Sequence, residues 1–290
     1  YALSLSTSSV GLSATIVVTV PKLRSGSNPK INITTVSDDG NVTNKVITSG
    51  LDIRDEGDVS KIYITLEQNA STYNVTVGFE DDDYRYKEVN GTYVLVDTSK
   101  GPFQRLQEYI NEQISNGATV ITLQEPSYTY SPHLDRAWAP IIINATRPIT
   151  IDGQGCAIDG LGYVSIFKVV SDNVTLKNIK FEDANATGAH ANKSDVNYGN
   201  GGAIIWAGIN GVVDGCEFRN NTADNGGAIY VLDTADNLKI KNSKFEENSA
   251  TNGGAVYAGV SDLNITESQF DKNKAENGSA VYLDGTDRFE

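Results

Sequence analysis

Methionine is absent from this chain, and cysteine, histidine and tryptophan occur twice each. Two cysteines exclude the disulfide framework of a small secreted domain. The histidines, His133 and His190, have no Cys or His neighbour at metal-ligand spacing, so no zinc or haem motif can be written. Cations are also scarce. Lys and Arg number 23 against 37 Asp and Glu, for a net charge of −14. Nucleic acid and anionic membranes both demand basic surface, so neither is an expected partner. No apolar run approaches a membrane span, and no signal peptide is visible. Lacking a start methionine, and opening inside a strand-like pattern (ALSLSTSS), the chain is read as a segment of a longer polypeptide.

Asn, Ser and Thr are abundant, and they form a series of Asn-x-Ser/Thr triplets. These stand at Asn32, Asn41, Asn69, Asn74, Asn90, Asn144, Asn173, Asn185, Asn192, Asn220, Asn264 and Asn277. Such triplets accept N-glycans on secreted surfaces, and the set points to an extracellular, cell-surface location. Residues 1–98 alternate apolar with polar over Leu3 to Ser8, Ala14 to Val20, Lys30 to Val36, Lys61 to Leu66, Tyr73 to Phe79 and Thr92 to Val96. Gly, Asn and Asp punctuate them, and no helical period intervenes. The expected fold is an Ig-like β-sandwich without the Ig cysteine pair.

Residues 97–102 (DTSKGP) read as a linker into a second domain, 99–290. Phe103, Leu106, Ile110 and Ile114 then mark one face of a helix over about 103–115. Asn116-Gly117 supplies its stop. A strand at Ala118–Leu123 and an aromatic loop at 126–139 follow. Beyond them the chain repeats. Gly201, Gly226, Gly253 and Gly278 each open a Gly-Gly-Ala-like phrase, at steps of 25, 27 and 25 residues. Phe181, Phe218, Phe245 and Phe270 share a column, with Asn221, Asn248 and Asn273 three residues on. A period near 25 made of short strands is a solenoid of strands, with coils over about 118–287. Like residues in successive coils then stack at about 4.8 Å. The glycine pair supplies a corner where φ is positive or the backbone crowded. The helix at 103–115 is placed as an N-terminal cap over the first coil.

ITIDGQGCAIDG (149–160), NVTLKNIKF (173–181) and the NGGAIY/NGGAVY coils resemble the right-handed parallel β-helix of the pectate-lyase-like superfold. Together with the upstream strands and the triplets, the chain most resembles adhesin-like surface proteins of methanogenic archaea. The resemblance implies attachment to other cells or to glycans. It implies a mainly-β chain, an N-terminal Ig-like β-sandwich followed by a right-handed parallel β-helix with an N-terminal capping helix.

Relatives of this superfold also include lyases and glycosidases, which need paired carboxylates or Ca²⁺ with a basic residue. Outward residues of one strand series run Asp152, Lys177, Asp214, Lys241, Thr266, alternating in sign, which reads as a ladder of ion pairs. The Asn-Thr-Asp, Gly-His-Gly and Arg-Ile-Lys patterns of the polygalacturonases are missing, so no catalytic residue and no cofactor are assigned. Aligning the coils puts Cys156 in the Phe181/Phe218 column and Cys216 in the Ile179/Ser243/Ser268 column. At two coils, near 10 Å, they are too far apart for a disulfide. Asp81, Asp82 and Asp83 form either a Ca²⁺ site or a solvated turn. Two features compete as the functional surface. Tyr230, Tyr257 and Tyr282 form an outward stripe, which either stacks against a ligand or merely stabilises the coil. The excursion 182–200, about a dozen residues longer than its counterparts, carries His190, Asp195 and Tyr198. It is a binding loop or a glycosylated, disordered one. The expected function is a non-catalytic, monomeric adhesin segment binding surface glycans or proteins of another cell. The rival readings are a polysaccharide lyase or glycosidase, and a passive stalk.

Overall fold

The computed structural model describes residues 8–10, 13–36, 41–67, 72–80, 86–94, 99–259 and 262–284. It divides into two compact units, residues 1–98 and 99–290. In the first unit every strand pairs antiparallel. One sheet is ordered Ser8–Val10, Ser13–Pro21, Val59–Glu67, Asp52–Glu56. The other is ordered Val42–Ile47, Lys30–Val36, Thr72–Glu80, Tyr86–Val94. Alternate residues of both sheets enter one buried cluster. Ile16, Val18, Ile62 and Ile64 come from one sheet, and Ile31, Tyr73, Val75 and Val77 from the other. Two strands escape sequence patterning. Val42–Ile47 and Asp52–Glu56 are almost wholly exposed edge strands, so no apolar face marks them. The expected strand at Leu3 to Ser8 falls mostly outside the described residues, and Asp81–Asp83 fall wholly outside them.

The second unit opens with a helix, Pro102–Ser115. Proline fits its first turn because that N–H needs no helical partner. No side chain of the preceding residues caps it. Asp135 does so from a distance, its Oδ1 accepting from Gln104 N at 3.0 Å. Gly101 is required there, since a Cβ would stand 1.9 Å from that oxygen. Phe103, Leu106 and Ile110 are fully buried in the solenoid core. The polar residues beside them satisfy strand edges. Gln107 Oε1 accepts from Ile142 N at 2.6 Å and its Nε2 donates to Ile142 O at 3.0 Å. Tyr109 donates its hydroxyl to Thr122 O at 2.9 Å.

The rest is a parallel β-solenoid of six turns, each contributing one short strand to each of three six-stranded sheets. The first sheet comprises Val120–Thr122, Ile149–Asp152, Val174–Lys177, Val212–Asp214, Leu238–Lys241 and Leu263–Thr266. The second comprises Ser127–Thr129, Ala157–Asp159, Lys180–Glu182, Glu217–Arg219, Lys244–Glu246 and Gln269–Asp271. The third comprises Ile141–Ile143, Phe167–Val169, Ile204–Trp206, Ile229–Val231, Val256–Ala258 and Val281–Leu283. The aromatic stretch 126–139 therefore holds a strand of the second sheet, and its Tyr128 is buried in register with Ile158.

Inside, the four phenylalanines stack at 4.9, 4.7 and 4.8 Å with nearly parallel rings. Beside them the asparagine ladder saturates the corner. Asn248 Nδ2 donates to Phe218 O at 3.0 Å and to Asn273 Oδ1 at 2.9 Å, while its Oδ1 accepts from Asn221 N and Nδ2. The glycine pair divides its two tasks. Gly226 and Gly253 adopt φ of +65° and +64°, whereas a Cβ on Gly227 would meet Gly254 O at 2.2 Å.

One column needs correction. Cys156 is in register with Ile179, Cys216 and Ser243, and Ile158 takes the phenylalanine column. The turn Gly153-Gln154-Gly155 is the reason. Seven residues separate Ile151 from Ile158, against five from Leu176 to Phe181. Both cysteines are free and buried, and burial pushes each thiol up to about 12.

Candidate ligand-binding face

The outer column of the third sheet runs Ile142, Lys168, Ile205, Tyr230, Tyr257, Tyr282. Ile229 and Val256, their inward neighbours, are fully buried, so the tyrosines occupy the outside of the coil. They stack on one another, Tyr230 on Tyr257 at 5.0 Å and Tyr257 on Tyr282 at 5.4 Å. Between the stacked rings, edges and phenols remain outward. Tyr257 is only 9% exposed, and its hydroxyl donates to Asp284 Oδ2. Burial, then Asp233 and Asp284, raises the Tyr230 phenol; burial and the Asp284 bond raise that of Tyr257. The outward stripe is a ladder of stacked rings with polar tips.

A second one-per-coil row lies across the glycine corner. Asn225 Nδ2 donates to Asn200 Oδ1, Asn252 Nδ2 to Asn225 Oδ1, and Asn277 Nδ2 to Asn252 Oδ1, each at 2.8 Å. The corner itself abuts the tyrosines, for a Cβ on Gly278 would lie 3.0 Å from Tyr282 Cβ. Sequence reasoning did not single out these asparagines. Their recurrence before each Gly-Gly, and before Gly278-Ser279, was the available signal.

The excursion after Glu182 is a run of turns tied to the coils, with Ala186 N donating to Thr222 O and His190 N to Tyr163 O. Asp195 reaches the outer column of the third sheet, where both of its oxygens accept from Lys168 Nζ, at 2.8 and 3.1 Å. Burial raises the Asp195 carboxyl, but the bonds from Lys168 and Asn197 outweigh it and hold it below the ordinary range. Asp195, Tyr198 and Ile205 line one small pocket of about 20 Å³, room for about one water. The loop therefore meets the same column that carries the tyrosines. His190 is held elsewhere. Its ring stacks 4.8 Å from Tyr163, with Nδ1 3.1 Å from the Tyr130 hydroxyl and Nε2 3.3 Å from Arg136 Nη2. Arginine only donates, so Nε2 accepts and Nδ1 carries the proton. Both ring nitrogens are engaged.

The remaining charged columns are as follows. On the first sheet Asp152, Lys177, Asp214, Lys241 and Thr266 are in register. Lys241 pairs with Asp214 at 3.2 Å, and asparagine amides hold the aspartates, Asn178 on Asp152 and Asn242 on Asp214. On the second sheet two acidic residues share a column. Asp159 is in register with Glu182, and Asp183 follows it. Burial raises the Asp159 carboxyl, and Asp183 and Glu182 raise it further against the bond from Leu161 N. A polar cleft of about 360 Å³ lies between Asn144–Pro148 and Val170–Asn173. Its charged groups are spoken for: Arg147 Nη2 contacts Ile114 O, and Asp172 Oδ1 accepts from Ile209 N. No group of three His, Cys, Asp or Glu among the described residues is placed to share a metal ion. No helix among them is long and apolar enough to cross a membrane.

No curated protein matches the chain. A solved structure, the catalytic domain of a GH87 alpha-1,3-glucanase in complex with nigerose, aligns with a TM-score of 0.37 and 12% identity. That alignment covers 96% of this chain and 61% of the other, so this chain spans less than two thirds of its length. The family described as right-handed β-helix region matches residues 140–289, just over half of the chain and five of the six turns. By that match the chain belongs to the right-handed β-helix family.

Proposed function

We propose that the chain is a non-catalytic attachment segment of a cell-surface protein, an adhesin whose solenoid binds glycans of another cell. The observation that carries this reading is the outer face of the third sheet. One tyrosine and one asparagine recur there in each of three successive coils, at fixed spacing, on a backbone locked by inward ladders. A rigid platform loses little side-chain entropy on binding. The Asn-x-Ser/Thr triplets support an extracellular setting, and Asn41, Asn144 and Asn192 among them are exposed. The antiparallel strand orders of residues 8–94 fit an Ig-like module, a common spacer in surface proteins. The helix Pro102–Ser115, with Gln107 and Tyr109 on two strand edges, acts as the cap that keeps the solenoid monomeric.

Immobilised protein should retain cells or glycans from an array. The triple replacement of Tyr230, Tyr257 and Tyr282 by serine should abolish retention with the circular dichroism spectrum unchanged. Equal retention by the folded triple variant refutes the assignment of this face.

One observation favours a second reading, glycoside hydrolysis. Asp159 and Glu182 are neighbours in register on the second sheet, and burial, then Asp183 and Glu182, raise the Asp159 carboxyl, a setting from which an acid and a base could be drawn. Release of reducing ends from a polysaccharide panel, lost in both Asp159→Asn and Glu182→Gln, would establish it over the first.

A further inference from the structure

The proposed face has a chemical signature that narrows its ligand. We infer that it takes an uncharged polysaccharide lying parallel to the solenoid axis, one sugar ring per coil, an inference that rests on the attachment reading above.

Periodicity is the first argument. The tyrosine rings follow one another at 5.0 and 5.4 Å, and the asparagine amides step with them, one per coil. Only a ligand with the same repeat can meet every rung in the same way. An extended pyranose chain advances by about one ring length per unit, comparable to that step. An extended peptide does not match, because its same-face side chains recur at about 6.6 Å and drift out of phase within two coils.

Charge narrows the ligand further. Lys168 is the one cation among the six positions of the column, and Asp195 already neutralises it at 2.8 Å. Asp233 and Asp284 border the tyrosines closely enough to raise the Tyr230 phenol. A uronate or sulfated chain would bring its anions against these carboxylates with no unpaired cation in the column to receive them. Functional groups supply the third argument. With ring faces spent on each other, the face offers phenols, amides and carboxylate oxygens, the donor and acceptor mixture that sugar hydroxyls satisfy. The loop fixes the footprint, since Asp195 closes off Lys168 and Ile205 is 4% exposed. Three rungs remain, at Tyr230, Tyr257 and Tyr282.

Calorimetric titration of the whole chain at low salt tests this with uncharged gluco- and manno-oligosaccharides from dimer to hexamer. Galacturonate oligomers of the same lengths are the acidic counterpart. Affinity for the uncharged series should rise about fivefold per added ring and level off once three rungs are filled. Tyr282→Phe, which keeps the stack and removes one phenol, should cost about fivefold. Galacturonates should bind at least about tenfold more weakly, and Asp284→Asn should narrow the gap. Acidic oligomers binding as well as uncharged ones, or affinity independent of length, overturns the inference. If acidic glycans bind and the tyrosine variants lose them, the ligand class falls and the attachment face stands. If no glycan binds and the triple serine variant attaches to cells normally, both fall.

Discussion

Asn248→Ala should be among the most damaging single changes in the solenoid, although it removes a polar residue from a repeat. Asn248 is completely buried and its amide serves four partners. Truncation leaves the buried Asn221 N–H without its partner, whereas Phe218 C=O keeps the ladder bond that the register with Glu246 provides. Asn221 Nδ2 keeps its bond to Phe181 O, so it loses only part of its satisfaction. An orphaned buried N–H costs about 1–3 kcal/mol before any cavity is counted. Asn248→Asp retains the shape and two acceptors but turns its oxygens on Phe218 O and Asn273 Oδ1, and should be at least as damaging at neutral pH. Asn273→Ala, half-buried, should cost less. Tryptophan fluorescence in urea reports the right unit, because Trp138 and Trp206 both lie in residues 99–290 and Trp206 is fully buried. A loss below about 1 kcal/mol for Asn248→Ala, with an unchanged m-value, would refute the idea that the ladder holds the corner.

Gly227→Ala should destabilise far more than Gly155→Ala. The first collides with Gly254 O, while the second meets nothing within 4 Å and bears only a positive-φ cost of about 1–2 kcal/mol; urea melts of both decide it. Acid should weaken the loop attachment in a defined window. The Asp195 carboxyl lies lower folded than unfolded, so its contribution is complete above the unfolded value near 4 and is lost as pH falls through the lower folded one. Asp195→Asn should therefore flatten thermal stability below about pH 4, and an unaltered acid limb would contradict the pairing. Cys156 and Cys216, buried with thiols raised to about 12, should resist an aromatic disulfide reagent until the solenoid is unfolded. Labelling of either in the native protein would count against their placement.

Much of the solenoid is legible in one dimension because its register is the repeat itself. Once Phe181, Phe218, Phe245 and Phe270 align, backbone pairing between coils can stack them only on one another, and the inward aliphatics and outward tyrosines follow by alternation. The same logic failed at Cys156, where two extra residues in one turn shift the count without altering the pattern. Edge strands such as Val42–Ile47 were silent, since a strand with no buried face carries no alternation.

Side-chain direction was decided only in three dimensions. The alignment of Tyr230, Tyr257 and Tyr282 fixes their column, but that Tyr257 is nearly buried and bonded to Asp284 is visible only in the fold. Long-range polar partners were equally hidden. Asp135 caps a helix that begins 33 residues earlier, and Gln107 closes a strand edge at Ile142, because burial forbids unpaired backbone groups wherever the chain happens to bring them. Asp195 finds Lys168 for a related reason, a half-buried cation drawing the nearest carboxylate of the loop. Repetition, being local and additive, is written in the sequence. The satisfaction of each buried or crowded group is a property of the folded neighbourhood, and only the tertiary structure supplies it.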